Sequence, residues 1–321
     1  MSHPFPMRRL LLPLVPLYRL GLAIREWQLR WRPPQRLSRP VVSIGNLSTG
    51  GSGKTPLAIA LIKALARRGS QVDVLSRGYG RNSCAALRVD PSGLADLYGD
   101  EPLLIARDGG VPVYVASQRY EAGLLAEQQG DAGIHLLDDG FQHRQLHRDV
   151  DVLLVTASDL ADRLLPAGDL REPLSALSRA DVVAISTAEP GLEAKIRARG
   201  WTGPIWRLRR TMDVPAIAGP VVAFCGIARP GQFFEGLAAA GINVASRVAF
   251  RDHHRYVQHD LDCLMDAARN VSATAFITTE KDLVRMGPLV ASLALPLQTA
   301  KLSIEIEDES ASLDWLLNKV C

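Results

Sequence analysis

A glycine-rich run between two apolar segments is the feature of this sequence that most directly indicates chemistry. The run, STGGSGKT, follows the apolar Val41–Ile44 and precedes the apolar-periodic Leu57–Leu65. A strand, such a loop and a helix together form a phosphate-binding loop, because glycines let backbone N–H groups point at phosphate oxygens and the helix adds its positive end. The first position of the G-x-x-x-x-G-K-[ST] pattern holds Ser48 instead of glycine. The residues predicted to bind a nucleoside triphosphate are Ser48, Thr49, Gly50, Gly51, Ser52, Gly53, Lys54 and Thr55.

An acidic pair downstream of this loop is a second chemical signal. The apolar segment Ile134–Leu137 leads directly into Asp138 and Asp139. A carboxylate at the end of a strand that follows a P-loop is suited to hold Mg²⁺ together with the loop residue Thr55, while Lys54 contacts the terminal phosphates. Neighbouring residues on a strand point in opposite directions, so the two carboxylates need different roles or a turn between them. An ordinary Asp-Gly turn is the alternative interpretation.

Four further polar segments are individually weaker signals. Ser76–Arg81 is a glycine-rich loop with two arginines, which fits either a phosphate site or a solvated loop. Asp100–Pro102 taken alone is typical of a helix N-terminus. Leu170–Pro173 fits a phosphate clamp or an exposed ion pair. Asp252–Tyr256, with His259 nearby, lacks the helical spacing of a zinc site, so proton transfer is the better functional interpretation for one of its histidines.

Composition restricts the class of protein. The chain has 321 residues, of which 47% are apolar and 22% charged, as expected for a globular enzyme of about two domains. The net charge is +3, but residues 1–40 alone hold eight arginines and one glutamate, so the basic character is confined to the N-terminus. No C-x-x-C pair is present, which argues against a zinc site or a disulfide framework and favours a reducing compartment. The cysteines are Cys84, Cys225, Cys263 and Cys321.

The basic N-terminal segment has the pattern of an amphipathic helix. Between Leu17 and Trp31, apolar residues recur at spacings of three and four. Arginine and tryptophan on such a helix favour the membrane interface, while packing on the protein body and nucleic-acid binding are the alternatives. The preceding Leu10–Tyr18 is too short to span a bilayer, and no signal-peptide cleavage site follows it. The apolar positions are Leu17, Leu20, Ile24, Trp27 and Trp31.

Beyond Pro40, short β-rich runs alternate with helical patterns, which predicts an α/β fold with a doubly wound, mostly parallel sheet of the P-loop NTPase type. After the Gly203-Pro204 turn, a second series of such runs predicts a smaller α/β domain, with Ile205–Arg209 and Lys301–Ile306 as a connecting ribbon. We predict three units: an N-terminal amphipathic, membrane-associated segment (1–35), a P-loop domain (36–204) and a smaller α/β domain (205–321). The predicted strands are Val41–Ile44, Val72–Leu75, Val113–Val115, Ile134–Leu137, Val152–Val155, Val182–Ile185, Val221–Cys225, Val244–Phe250 and Ala275–Thr278.

The polar segments together, in this order, resemble the tetraacyldisaccharide 4′-kinase family of lipid A synthesis. The resemblance covers nearly the whole chain, and several blocks in one order are far more specific than a P-loop alone. The blocks are Ile44–Leu47, Gly50–Pro56, Ser76–Gly80, Gly99–Pro102, Leu137–His143, Leu170–Pro173, Asp252–His253 and Thr278–Asp282.

The resemblance implies an ATP- and Mg²⁺-dependent kinase at the cytoplasmic face of the Gram-negative inner membrane. Its substrate would be the lipid A disaccharide 1-phosphate, phosphorylated on the 4′-hydroxyl, with two domains closing around the nucleotide. Neither nucleic acid nor an obligate protein partner is implied. The implied catalytic residues are Asp100 and His253, which would activate the hydroxyl, with Lys54 and Asp139. The implied metal ligands are Thr55 and Asp138, with either Glu172 or Asp139 as a further ligand. The implied substrate-binding residues are Arg77, Tyr79, Arg119, Gln142, His143 and Arg171.

Two other classes of protein compete with this interpretation. A membrane-recruited P-loop ATPase of the partitioning type also combines this kind of loop with an amphipathic helix. Its signature lysine would fall at position 49, where this chain has Thr49. A non-catalytic nucleotide-binding scaffold is the second alternative, and it is disfavoured because Lys54, Thr55 and Asp138 are all present.

Overall fold

A computed structural model of the chain describes Arg8, residues 10–51 and residues 53–320. The predicted nucleotide ligand Ser52 therefore lies outside the described residues. The described strands are β1 (Val41–Asn46), β2 (Val72–Ser76), β3 (Leu87–Arg88), β4 (Val113–Val115), β5 (Ile134–Asp138), β6 (Val150–Leu154), β7 (Val182–Ser186), β8 (Ile205–Asp213), β9 (Val221–Cys225), β10 (Val244–Ala249), β11 (Ala275–Thr279) and β12 (Leu297–Ile306).

Helices connect most of these strands. The described α-helices are α1 (Val15–Trp31), α2 (Lys54–Arg67), α3 (Ala95–Tyr98), α4 (Asp100–Gly109), α5 (Arg119–Gln129), α6 (Ala157–Ala161), α7 (Leu192–Arg197), α8 (Pro230–Ala239), α9 (Gln258–Asn270), α10 (Glu280–Met286) and α11 (Glu309–Val320). Short 3₁₀ helices cover Leu12–Leu14, Leu174–Arg179 and Gly287–Ser292.

The described strands form one sheet in the order β10-β9-β11-β12-β8-β7-β6-β1-β5-β2-β4-β3. Neighbours are parallel except for the pairs β8–β12 and β3–β4, which confirms the predicted α/β fold with a mostly parallel sheet. The predicted ribbon is the antiparallel pair β8–β12, in which Arg209 lies opposite Glu305. Strands of residues 36–204 occupy one side of this order and those of 205–321 the other. We call these the first part and the second part; their division into separate domains stays a prediction.

The centre of the first part explains why the P-loop and the acidic pair meet. Strand β1 lies between β5 and β6, and Ile44 is in register with Asp138. All residues of these three strands are buried, so the apolar runs that predict them are core strands covered on both faces. Because parallel strands end at the same edge, the loop after β1 and the carboxylate at the end of β5 are neighbours.

Helix α2 follows the P-loop and packs its apolar stripe into the main hydrophobic core. Leu57, Leu61 and Leu65 recur at every fourth position and are completely buried. This core also contains Leu103 of α4 and Ile304 of β12, so the second part of the chain contributes to it. The start of α2 is therefore held in place by packing from both parts.

Helix α1 lies on the surface with its predicted apolar face uncovered. Leu17, Leu20, Ile24, Trp27 and Trp31 are each 50% to 73% exposed. A different stripe of α1, formed by Val15, Tyr18 and Leu22, packs on the core beside β6 and β7, and the Tyr18 hydroxyl donates to the Arg171 carbonyl at 2.8 Å. Among the described residues, no helix combines the length and apolar character that crossing a bilayer requires.

Candidate active site

The P-loop is built on two glycines with left-handed backbone. Gly50 has φ of +100° and Gly53 has φ of +97°, a region that side-chain-bearing residues rarely adopt. Gly53 occupies the N-cap position of α2, so Lys54 is the first helical residue. The Lys54 ammonium donates to Asn46 Oδ1 at 2.9 Å and lies 3.3 Å from Asp139 Oδ1. The lysine is thus held at the mouth of the loop by one amide and one carboxylate.

The two consecutive aspartates have different environments. Asp138 ends β5, and its Oδ1 is buried with no hydrogen-bond partner among the described residues. Burial, together with the Glu101 and Asp139 carboxylates, raises the pKa of Asp138 to about 7. An unpaired buried carboxylate oxygen fits a divalent cation, and the buried hydroxyl residue Thr55 lines the same cavity. The residues present therefore suit the Mg²⁺ ion that the P-loop implies.

Asp139 turns away from the strand direction, with φ of +50°. Its carboxylate lies 3.3 Å from the Lys54 ammonium and accepts from Arg171 at 2.9 Å. Burial opposes ionisation, but these two cations outweigh it and lower the pKa of Asp139 to about 2. Of the two predicted alternatives, different roles or a turn, the structure shows a turn that begins at Asp139, and this turn directs the Asp139 carboxylate to a cationic environment.

A cavity of about 830 Å³ adjoins these residues and is lined by both parts of the chain. The first part contributes Lys54 and Asp138, and the second part contributes His253 and Lys281. A volume of this size is within the range of small-molecule and cofactor sites, about 300–1,000 Å³. Other lining residues are Thr49, Gly50, Gly51, Gly53, Thr55, Arg77, Tyr79, Glu101, Arg119, Asp139, Arg171, Arg210 and Asp252.

Asp100 and His253 are brought together at the edge of this cavity. His253 Nδ1 lies 3.2 Å from Asp100 Oδ2, and Arg285 Nε donates to the same Asp100 oxygen at 2.7 Å. Burial disfavours the Asp100 charge, but the His253 hydrogen bond and the nearby Arg285 and Lys281 cations hold the pKa of Asp100 well below its usual range. The helix N-terminus predicted at Asp100–Pro102 is confirmed, but Asp100 is the first helical residue and not the cap, because Gly99 occupies the N-cap position and no side chain caps this helix.

The same contact changes the basicity of His253. The hydrogen bond to Asp100 raises the pKa of His253, although burial and the Arg285 cation act in the opposite direction. The ring also lies against Tyr79, with centroids 5.2 Å apart. An imidazole oriented by a carboxylate and lining a phosphate-site cavity is suited to accept a proton.

A second ion pair between the two parts involves Glu101, the residue that follows Asp100. Lys281 Nζ lies 2.5 Å from Glu101 Oε1, and both residues line the cavity. The Lys281 cation lowers the pKa of Glu101, and the Glu101 carboxylate helps to raise the pKa of Lys281 against the effect of burial. Helix α10 therefore contacts the start of α4 through two adjacent acidic residues, Asp100 and Glu101.

The predicted substrate-binding residues fall into two groups. Arg77, Tyr79, Arg119 and Arg171 line the cavity, whereas Gln142 and His143 are not among the described residues that line it. The amide of Gln142 donates to the Asn46 carbonyl at 2.9 Å and accepts from Arg171 at 3.2 Å, so it braces two lining segments.

Burial and neighbouring arginines shape the charges of this region. Burial lowers the pKa of Arg119 to about 10. Burial, and then Arg119 and other nearby arginines, lower the pKa of His143 to about 3, so this histidine is neutral at physiological pH. His143 therefore adds no positive charge beside the arginines Arg77 and Arg119 that lie near it.

Two predicted ligands are not among the lining residues. Glu172 is paired with Arg179, and burial raises its pKa. Its predicted metal role consequently gains no support from its position. Ser48 is buried at the base of the P-loop, where its carbonyl accepts from the Asn46 amide at 2.8 Å. The described residues contain no cluster of three or more His, Cys, Asp or Glu side chains arranged to hold a metal.

Comparison with known proteins gives one consistent result. The sequence profile described as Tetraacyldisaccharide-1-P 4′-kinase matches residues 7–321. The chain belongs to the tetraacyldisaccharide 4′-kinase family. A protein named tetraacyldisaccharide 4′-kinase from Koribacter versatilis is 41% identical over 318 residues, covering 95% of this chain and 97% of the relative. One of the same name from Nitrobacter winogradskyi is 38% identical and covers 97% of this chain and 94% of the relative.

A solved structure supports the fold of this tetraacyldisaccharide 4′-kinase family member. The crystal structure of the "apo" form of LpxK from Aquifex aeolicus in complex with ATP has a TM-score of 0.77 and 30% sequence identity. The match covers 98% of this chain and all of that chain. The likeness thus extends over both parts of the chain and not only over the P-loop core.

Sequence reasoning assigned no role to three residues of this kinase-family site. Asn46 holds Lys54, Lys281 pairs with Glu101, and Arg285 contacts the Asp100–His253 pair. Asn46 and Lys281 lie inside motif blocks that carry the resemblance, so their position in those blocks was the available signal. Arg285 lies beyond the last block, and its tertiary contacts are what identify it.

Proposed function

We propose that this protein transfers the γ-phosphoryl group of ATP to the 4′-hydroxyl of tetraacyldisaccharide 1-phosphate, a step of lipid A synthesis. The observation that carries the proposal is that one cavity is lined both by the P-loop lysine Lys54 and by His253, the proposed proton acceptor. Membership of the family over residues 7–321 supports the same reaction.

Binding of the nucleotide is assigned to the P-loop and its neighbours. The backbone around Gly50–Gly53 would contact phosphate oxygens, and Lys54 would leave its Asn46 and Asp139 contacts to neutralise the terminal phosphates. Asp138 and Thr55 would hold Mg²⁺, which supplies charge neutralisation to the β- and γ-phosphates when bound. Asp139 would remain paired with Arg171 next to the lysine.

The acceptor hydroxyl is assigned to the Asp100–His253 pair. The 4′-oxygen attacks the γ-phosphorus, the bond from that phosphorus to the β,γ-bridging oxygen breaks, and ADP leaves with the electron pair. The hydroxyl proton passes to the pair, where His253 lines the cavity and the Asp100 carboxylate stabilises the resulting imidazolium. Most of the rate enhancement comes from alignment and charge neutralisation.

Cationic side chains of the first part suit an anionic acceptor. Arg77, Arg119 and Arg171 line the cavity, and guanidinium groups match phosphate and carboxylate oxygens. We assign these arginines and Tyr79 to binding the disaccharide headgroup. The exposed Tyr79 ring packs on His253, which brings this binding surface next to the proton acceptor.

The membrane surface is the proposed site of action. The uncovered apolar face of α1 and the arginines of residues 1–40 suit the cytoplasmic face of the inner membrane, where anionic headgroups meet acyl chains. Helix α1 is anchored to the segment that carries Arg171 through the Tyr18 hydrogen bond. A lipid held at this surface would therefore have its headgroup near the cationic lining of the cavity.

The proposal is tested by phosphate transfer. The purified protein is incubated with γ-labelled ATP, Mg²⁺ and tetraacyldisaccharide 1-phosphate in detergent, and the product is identified by mass and fragmentation. We expect one added phosphate on the 4′-position and ADP in equal amount. A matched Lys54→Ala preparation should form both products at a rate lower on the order of 10²-fold or more.

The same experiment separates the kinase from the partitioning-type ATPase. A partitioning-type switch would release inorganic phosphate on anionic vesicles that contain no disaccharide. ATP turnover that requires vesicles but not the disaccharide would contradict the kinase. The absence of the signature lysine at Thr49 already argues against that switch.

A further inference from the structure

Arg285 of α10 is a buried cation that the mechanism above does not use. Its side chain is only 6% exposed, and it contacts two buried carboxylates, Asp100 (5%) and Asp282 (0%). Arg285 Nε donates to Asp100 Oδ2 at 2.7 Å, and Nη1 lies 3.1 Å from Asp282 Oδ1. Burying one arginine and two aspartates costs free energy even when they are paired. We therefore expect this buried cluster to serve a function.

The two carboxylates depend on Arg285 to different degrees. Asp282 accepts additional hydrogen bonds from the Gly226 amide, the Tyr256 hydroxyl and the Thr279 hydroxyl. Among the described residues, Asp100 has only Arg285 and His253 as side-chain partners. Removing Arg285 would therefore leave Asp282 with three neutral donors but would leave Asp100 with the imidazole alone.

Arg285 also reaches the backbone that carries His253. Its Nη1 donates to the Gly226 carbonyl at 2.5 Å, and the His253 amide donates to that same carbonyl at 3.1 Å. His253 itself has φ of +56°, a strained conformation for a residue with a side chain, so its backbone needs such anchoring. The Arg285 guanidinium thus binds both the Asp100 carboxylate and the Gly226 carbonyl, which also accepts from the His253 amide.

We propose that Arg285 is a positioning residue for phosphoryl transfer. It holds Asp100 and His253 in the arrangement in which the pair can take the proton of the acceptor hydroxyl. Arg285 is not among the described residues that line the cavity, so it acts through the pair and not on the substrate. The inference rests on the proposed kinase function. It adds a role for the end of α10, beyond the last motif block.

The charge of Arg285 also limits the proton affinity of the histidine. The groups that face His253 are Asp100 from α4, Arg285 from α10, Asp252 from its own loop and the Tyr79 ring. Asp100 and Asp252 favour the imidazolium, and Arg285 opposes it. Without Arg285, the buried Asp100 charge would be balanced by its hydrogen bond to His253 and by the more distant Lys281 cation. The histidine would then stay protonated to higher pH and would be a poorer acceptor at neutral pH.

The test compares Arg285→Gln and Arg285→Lys with the wild type in the phosphate-transfer assay, over a range of pH, with ATP affinity measured separately. We expect Arg285→Gln to lower kcat on the order of 10²-fold, the loss expected when reacting groups are misplaced by about 1 Å. The acidic limb of its kcat profile should move to higher pH, while ATP affinity stays near that of the wild type. Arg285→Lys keeps the positive charge but lacks the several N–H donors of the guanidinium. It should therefore keep the pH midpoint and lose part of kcat.

Arg269→Gln is the matched control. Arg269 also pairs with an aspartate three residues earlier in its helix, but it is 69% exposed and outside the cavity lining. Its kcat, pH midpoint and melting temperature should be unchanged.

Three outcomes would overturn the assignment of Arg285. One is wild-type kcat and pH midpoint in Arg285→Gln, and another is a loss of kcat with an unmoved midpoint in both variants. The third is loss of folding or of ATP binding in both variants, which would make Arg285 a structural residue. Failure of the kinase proposal is distinguishable, because then the wild type itself would transfer no phosphate to the disaccharide.

Discussion

His253 Nδ1 lies 3.2 Å from Asp100 Oδ2, although the two residues belong to different parts of the chain. Asp100 starts α4 in the first part, and His253 follows β10 in the second. The contact is therefore made only by the relative position of the two parts. Any motion that separates them also separates the groups that would accept the proton, which would couple closure to chemistry.

Asp100→Asn and His253→Ala should each lower kcat strongly with little change in ATP affinity. General acid–base groups contribute about 10²–10⁴-fold, and two residues that act as a unit are not additive. The double variant should therefore lose much less than the product of the single losses. The measurement is kcat in the phosphate-transfer assay for the three variants, together with their melting temperatures. Losses that multiply would show that the two residues act independently.

The activity should rise with pH through the titration of His253. Its pKa is raised by the Asp100 contact above the ordinary value of about 6.5, and the histidine must be neutral to accept a proton. The kcat profile should thus have an acidic limb with its midpoint above that value. His253→Gln should remove this limb. A limb that persists unchanged in the variant would assign it to another group.

The raised pKa of His253 also affects the free energy of unfolding. Activity should rise with pH, whereas the stability contributed by His253 should fall with pH. A group whose folded-state pKa is raised contributes stability that is fully present below the unfolded pKa and is lost as pH rises through the folded pKa. The stability difference between wild type and His253→Ala should thus be larger at pH 5.5 than at pH 9. Urea unfolding at the two pH values measures it. An equal difference at both values would contradict the raised pKa.

The sequence predicted most of the core strands and the loop chemistry at the end of the first of them. Apolar runs such as Val41–Ile44 are core strands because both of their faces are buried, and the loop chemistry of Gly50–Thr55 is local to the chain. Short elements such as α6 and α7, at five and six residues, carry too few turns for a helical period to be visible. The role of Arg285 was not predictable either, since it depends on contacts with Asp100 that only the tertiary arrangement creates.

Lys54→Ala should cost on the order of 10²-fold or more in turnover, because the ammonium neutralises charge that grows on the transferring phosphate. Phosphate transfer measures the loss, and circular dichroism checks the fold. Arg67→Ala is the control, since Arg67 lies on the same helix but pairs with Glu309 at the surface. Near-normal turnover of folded Lys54→Ala would contradict the P-loop kinase mechanism.

Asp138→Ala should lower turnover on a similar scale and change its response to added Mg²⁺. The unpaired Oδ1 of this residue is the described oxygen best suited to the cation. Titration of turnover with Mg²⁺ should show a higher half-saturating concentration in the variant. The comparison with Glu172→Ala tests the second predicted ligand, and an unchanged Mg²⁺ response there would remove Glu172 from the metal site.

Gly45→Ala should destabilise the fold beside the P-loop. A Cβ at this position would lie 2.5 Å from Phe141 Cβ and 2.9 Å from the Phe141 backbone nitrogen, so the backbone must shift. Overpacking of this kind costs about 1–3 kcal/mol, which urea unfolding would measure. Gly231→Ala is the matched control, because nothing lies within 4 Å of its added Cβ and it sits in α8. Equal stability of the two variants would contradict this account of Gly45.

Replacing exposed apolar residues of α1 should release the protein from anionic vesicles without loss of folding. Trp27 is 60% exposed and Leu20 is 56% exposed, on the face that does not pack on the body. A buried large apolar side chain is worth about 1.5–3 kcal/mol, so Trp27→Glu or Leu20→Glu should weaken vesicle binding about tenfold or more. The measurement is co-sedimentation with vesicles of stated anionic content at low and high salt.

Val257→Glu is the control for this experiment, because Val257 has a similar exposure of 54% but belongs to the second part and not to α1. Its vesicle binding should match that of the wild type. Basic residues add about 1 kcal/mol each near an anionic surface, so binding of the wild type should also weaken with salt. If the α1 variants bind as tightly as Val257→Glu, the exposed face of α1 is not the membrane contact, and the anchoring contacts of Tyr18 and Leu22 are then the main role of the helix.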